Sequence, residues 1–194
     1  MPHLRPLVRT LLGLLIVASC MAAAIVPMLG RVAAAPSYVP SAAPGDIVIA
    51  AFRFSGPNGP GDEYIELFNR SCNTTPIDLQ GWTVYFSDGS GAFPLLYTFP
   101  SGATIASGGY FLLAGPAYSG TAPRDASYTT GIPFDTGGVA IFSNTTTPVD
   151  QAGFNTNGYY EANVLAALPS NSNQSYVRKL SSTGMYLDSN NNAA

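Results

Sequence analysis

Charge is scarce in this chain: 8 Lys and Arg and 11 Asp and Glu stand among 194 residues. The one histidine is His3, the one lysine is Lys179, and the cysteines are Cys20 and Cys72. Each shortage excludes a class of chemistry. Its only imidazole lies in the segment that reads as a signal peptide, so the mature chain has no histidine base for a Ser-His-Asp or Cys-His nucleophile. A zinc site would have to combine cysteine with carboxylates, an unsuitable ligand set. Nucleic-acid backbones need clustered Lys and Arg, which are not here. Helical periodicity is nearly missing, and its one candidate is Glu161 to Leu168, cut off by Pro169. What the chain has instead is 20 Gly, 16 Pro and many aromatics, a composition of short strands and turns.

Residues 1–34 read as a signal peptide, to be set apart from fold reasoning. Arg5 and Arg9 precede an uncharged run from Thr10 to Gly30, and Val32-Ala33-Ala34 offers small residues for cleavage after Ala34. Two other readings stay open. The 21-residue run is long enough for an uncleaved membrane anchor, and Val17-Ala18-Ser19-Cys20 resembles a lipobox that would lipidate Cys20. All three place Ala35 onward outside the cytoplasm. Without residues 1–34, five basic residues face eleven acidic ones, a net charge of −6. Cys72 alone remains, so no internal disulfide can form, and a small, partly buried loop residue is expected there.

Residues 35–44, APSYVPSAAP, form a Pro/Ala/Ser tether. From Gly45 the strands expected are 46–54, 64–69, 77–79 with 82–86, 95–99, 110–114, 138–143, 149–153 and 175–180. In DEYIELFNRSCNTTPIDLQGWTVYF (62–86), Ile65 and Leu67 point one way and Tyr64, Glu66 and Phe68 the other. Trp82, Val84 and Phe86 share a face predicted to be core. The clusters SGPNGPGD, SDGSGAFP and PSGATIASGG between strands read as loops. The GSG and SGG in them open no helix and so cradle no phosphate.

Several of these segments together resemble the lamin-tail domain, an immunoglobulin-like module of nuclear lamins and many secreted bacterial proteins. EYIELFN (63–69) and DLQGW (78–82) carry the resemblance most strongly. DIVIAAFRF (46–54), ATIASGGYFLLAG (103–115), DTGGVAIFSN (135–144) and SNQSYVRKL (172–180) extend it in order. Ala50-Ala51 stand where the family commonly has Ser-Glu. The resemblance implies an all-β, immunoglobulin-like β-sandwich over 45–194, preceded by the signal segment. It also implies a D-[ST]-x-x-N-x-x-D-F stretch after the closing strand. Asp188, Ser189 and Asn192 match its opening, and Ala193-Ala194 follow. The expectation is a domain truncated at its C-terminus, with an apolar groove near that end and a loosened 181–194.

Carboxylates are the remaining route to catalysis. Glu63 and Glu66 face opposite sides of a strand. Asp62 and Glu66 share a side but lie about 13 Å apart along it, too far for a glycosidase pair. The plainer reading is that Glu66 pairs with Arg53 or Arg178 across strands, and that Asp78 and Asp88 organise turns. Asp188 to Asn192 alternates oxygen ligands but lacks the Gly and Glu of a calcium loop, and reads as a polar turn. Residues 155–174 read as a long loop with at most one helical turn. Tyr118, Tyr159 and Tyr160 in loops could stack on a glycan or peptide, or anchor those loops. Asn69, Asn73, Asn144 and Asn173 begin glycosylation sequons that matter only in a glycosylating host.

The functional expectation is therefore a secreted, non-catalytic binding or anchoring module at the cell surface. It has no catalytic residues, no metal and no cofactor. Its partner is an unidentified protein or cell-surface ligand, not nucleic acid. It meets membrane only through an uncleaved or lipidated N-terminus. The alternatives are an accessory domain of a larger secreted nuclease or phosphatase, and a carbohydrate-binding sandwich.

Overall fold

The computed structural model describes residues 46–169 and 171–192. The expected signal peptide, the tether and Cys20 lie outside them. Eleven strands and no helix occupy the described residues: β1 (Ile47–Gly56), β2 (Gly59–Asn69), β3 (Ile77–Asp78), β4 (Thr83–Ser87), β5 (Leu95–Thr98), β6 (Thr104–Ile105), β7 (Tyr110–Ala114), β8 (Ala126–Ser127), β9 (Gly138–Phe142), β10 (Pro148–Gly153) and β11 (Tyr176–Val177). They form a five-stranded sheet in the order β11-β1-β2-β7-β8, a four-stranded sheet β10-β9-β4-β5, and a small β3-β6 pair. The architecture is an all-β, immunoglobulin-like sandwich.

The core follows from period-two alternation. Ile47, Ile49, Phe52, Ile65, Leu67, Phe111 and Leu113 face inward from the first sheet, and Val84, Phe86, Val139, Ile141 and Ala152 from the second. Trp82, 5% exposed, enters this core just ahead of β4 with Val84 and Phe86. Alternation fails on β1, where all ten residues are buried. Its other face carries Val48 and Ala50, covered with Phe68 by Met185 and Tyr186 from the C-terminal stretch.

Several boundaries differ from expectation. The segment 55–62 is a hairpin rather than a loop: β1 and β2 pair as far as Ser55↔Pro60 and Gly56↔Gly59. Gly59 and Gly61 take φ of 84° and 89°, which a side chain would resist. The Asp62 carboxylate accepts the Asn58 N–H at 2.9 Å and closes the turn. Two strands escaped notice, β6 and β8, each two residues long; β8 runs parallel to β7. The closing strand shrinks to Tyr176–Val177, continued by one bond from the Arg178 N–H to the Ala50 carbonyl at 2.8 Å. No helical turn forms at 161–168, because Ala162 sits at φ 47°, outside the helical region. Cys72 is exposed rather than partly buried.

Candidate functional site

Polar side chains converge at three places. The first lies beside the β1-β2 hairpin. Register shifts between Ile49/Ala51 and Arg53/Ser55 bend β1 there. Arg53 stands opposite Tyr64, with its guanidinium 5.5 Å from the ring centre, and forms a buried ion pair with Asp62. Glu66 stands opposite Ala51, so the expected Glu66–Arg53 pair does not form. Asp62 also accepts the Ser119 N–H at 2.9 Å and its hydroxyl at 2.7 Å. Burial pushes the Asp62 carboxyl up, but the bonds from Ser119 and Asn58, with Arg53, outweigh it and hold the group below its usual range.

The second is Glu63. It has the parity of Ile65 and Leu67 and is fully buried. Its carboxylate accepts the Ile132 N–H at 2.9 Å and the Tyr128 hydroxyl at 3.1 Å. Burial pushes Glu63 up to about 7, the hydrogen bonds only partly opposing. It ties the 128–132 connection under the sheet.

The third gathers Asp150, Glu161 and Asp188, whose oxygens come within 4.8 Å of one another. At an effective dielectric of about 20, like charges at 4.8 Å repel by roughly 3–4 kcal/mol, so the cluster needs cations beside it. Arg178 sits at its centre. It donates to both Asp150 oxygens at 2.7 and 2.6 Å, to Asp188 at 3.4 Å, and to the carbonyls of Ile49 and Leu187 at 3.0 and 3.2 Å. The expected Glu66–Arg178 pair is thus replaced by Asp150 and Asp188. Asp150 also accepts the Ile49 N–H at 2.6 Å, a bond from one sheet to the other. With Asp150 and Asp188 engaged by Arg178 and backbone donors, and Glu161 by Asn192 and Asp150, these carboxylates form an internal electrostatic knot. Its outer side borders a cleft of about 180 Å³ lined by Ile49, Phe52, Leu165, Tyr176, Leu187 and Asn192, among others.

Sequence reasoning missed this knot. In the sequence Asp188 belongs to a polar terminal turn, Glu161 opens the helical candidate 161–168, and Asp150 lies in the expected strand 149–153 with no role assigned. One signal was available: Asp150 shares the inward parity of Ala152, and a carboxylate at a core position demands a partner. Asp78 and Asp88 do organise turns, Asp78 accepting the Gln80 N–H at 2.9 Å and Asp88 the Ser90 N–H at 2.8 Å.

The outer face of the four-stranded sheet is of another kind. Tyr85 on β4 meets Phe142 on β9 at 5.5 Å, Phe142 meets Tyr159 at 5.9 Å, and Tyr159 meets Phe93 at 5.0 Å, all edge to face. Phe93 and Leu95 are 47% and 50% exposed. Tyr159 is held there because its loop lies directly on two glycines: a Cβ on Gly138 or Gly153 would come within 2.4 or 2.2 Å of the Tyr159 carbonyl. The Ser87 hydroxyl accepts the Tyr159 N–H at 3.1 Å. Tyr118 packs instead on Tyr64 of the other sheet, at 5.9 Å. The loop tyrosines therefore do not form one surface.

Among known families, the Lamin Tail Domain matches residues 40–178. A search of curated proteins gave no match.

Proposed function

Because the chain belongs to the Lamin Tail Domain family, whose immunoglobulin-like domain is non-catalytic, we propose that it is a secreted binding or anchoring module at the cell surface. The observation that carries this reading is the fate of its ionisable groups. Arg53 is spent on Asp62, Glu63 on Tyr128 and Ile132, and Arg178 on Asp150 and Asp188. These groups tie loops to sheets and, among the described residues, leave no acid–base pair facing a substrate-sized opening. The surface best suited to a partner is the aromatic face of Tyr85, Phe93, Phe142 and Tyr159, none of which carries charge.

That face also favours a second reading, a carbohydrate-binding sandwich, since uncharged aromatic rings suit the apolar faces of neutral sugars. A role as the accessory domain of a larger secreted nuclease or phosphatase is compatible with the same surface. The test of the non-catalytic reading is a hydrolysis panel of nucleic acids, phosphoesters, peptides and glycosides with the purified chain. No turnover is expected. Turnover abolished by Glu161→Gln or Asp150→Asn would overturn the proposal.

A further inference from the structure

The Asp150–Glu161–Asp188 knot holds more than the sheets together. Asn192 reaches into its edge. Its side-chain carbonyl accepts the N–H groups of Gly153 at 3.3 Å and Glu161 at 3.0 Å. Its amide donates to the Gln151 carbonyl and to Glu161 Oε2, both at 3.1 Å. Its own N–H donates to the Glu161 carbonyl at 3.1 Å. Leu187, Ser189, Asn191 and Asn192 form one wall of the cleft over Ile49, Phe52, Leu165 and Tyr176. We propose that a proton held on Glu161 latches the 187–192 segment against β10, and that losing it releases the segment and opens the apolar cleft.

The case begins with donors. A guanidinium has five N–H groups, and those of Arg178 go to Asp150 twice, Asp188, Ile49 and Leu187. None is directed at Glu161. Arg70, after β2, faces Asp188 at 3.6 Å, and Lys179 lines the cleft. Two arginines thus serve Asp150 and Asp188, and the third carboxyl, 7% exposed, hydrogen-bonds among the described residues with Asn192 and Asp150. A neutral Glu161 that donates to Asp150 satisfies both. Burial first, then the charge of Asp150 and that bond, push Glu161 up to about 8, against the pull of Arg178.

Deprotonation adds a third negative charge to the knot, and something must move. Asp150 is fixed within β10 by the Ile49 and Gln151 N–H groups at 2.6 and 2.9 Å. Asp188 rides on the C-terminal segment, which has no strand of its own. The stronger bond from Asn192 to a charged Glu161 does not offset repulsion from two carboxylates. The mobile partner leaves.

The test is hydrogen exchange of residues 186–192 in the full chain from about pH 6 to about pH 9.5, corrected for intrinsic rates, with binding of an apolar dye read in parallel. Protection of the Asn192 and Leu187 amides should fall by up to about tenfold per pH unit as pH rises toward about 8, where Glu161 in the closed latch gives up its proton, and then level off, with dye binding rising alongside. Glu161→Gln, which keeps the neutral form, should show no step. Should that variant misfold, Asp188→Asn removes one of the charges that repel an ionised Glu161 and should shrink the step. A flat wild-type profile, a step in folded Glu161→Gln, or an undiminished step in Asp188→Asn would overturn the latch.

Discussion

At the scale of single residues, the buried groups divide into those that only pack and those that also titrate. Trp82 packs between the sheets with Val84 and Phe86. Trp82→Ala should cost about 3–5 kcal/mol in urea denaturation, and the native indole should emit well to the blue of free indole. Unchanged stability would remove Trp82 from the core. Glu63 and Glu161 bind their protons more tightly in the folded state than at the ordinary 4.5. From pH 4.5 upward the unfolded chain has released protons that the folded chain keeps. Stability is therefore fully present below 4.5 and is lost as pH rises through about 7 for Glu63 and about 8 for Glu161. Glu63→Gln should remove about 2–3 kcal/mol of that slope, measured as denaturation midpoints across the range; an unchanged slope would mean that Glu63 is ionised when folded. The apolar residues were legible because alternation places Ile65, Leu67, Val84 and Phe86 on one side of their strands. The side on which Glu63 lies was legible too, but its partners Tyr128 and Ile132 were not, because they come from a connection far along the chain.

Elements were legible where five or more patterned residues lie in sequence, as in β2, β4, β7 and β9. The two-residue strands β6 and β8 carry too little pattern to register, and exist because a neighbouring strand offers them a ladder. The β1-β2 hairpin was hidden because Gly and Pro normally mark loops; here Asp62 caps the turn and anchors Arg53 beside it. Removing that anchor leaves a buried guanidinium short of a counter-charge. Asp62→Ala should cost about 3–5 kcal/mol, read by denaturation, and should speed exchange across residues 53–62. A loss under about 1 kcal/mol would place the pair among weak surface bridges. Residues 155–174 were expected to form a long loop, and the described ones carry no strand, but the docking of Tyr159 on Gly138 and Gly153 depends on a close backbone approach that no periodicity reveals.

At the scale of the molecule, the family and the sandwich were legible from the order of short motifs, and the family match over residues 40–178 agrees with that order. The electrostatic knot was not, because residues 150, 161, 178 and 188 meet only once β10, the end of β11 and the C-terminal segment are folded together. The proposal of export carries its own expectation: N-terminal sequencing of the secreted protein should begin at Ala35, and a species held in the membrane from Met1 or lipidated at Cys20 would contradict cleavage after Ala34.

As proposed, this domain binds through its aromatic face and catalyses nothing there. Equilibrium binding of the full chain to cell-envelope preparations tests it, wild type beside the Phe93→Ala/Tyr159→Ala variant. Truncating two aromatics at the centre of an interface should weaken binding by about tenfold or more, while the variant keeps its fold. Undiminished binding by the folded variant would contradict the account.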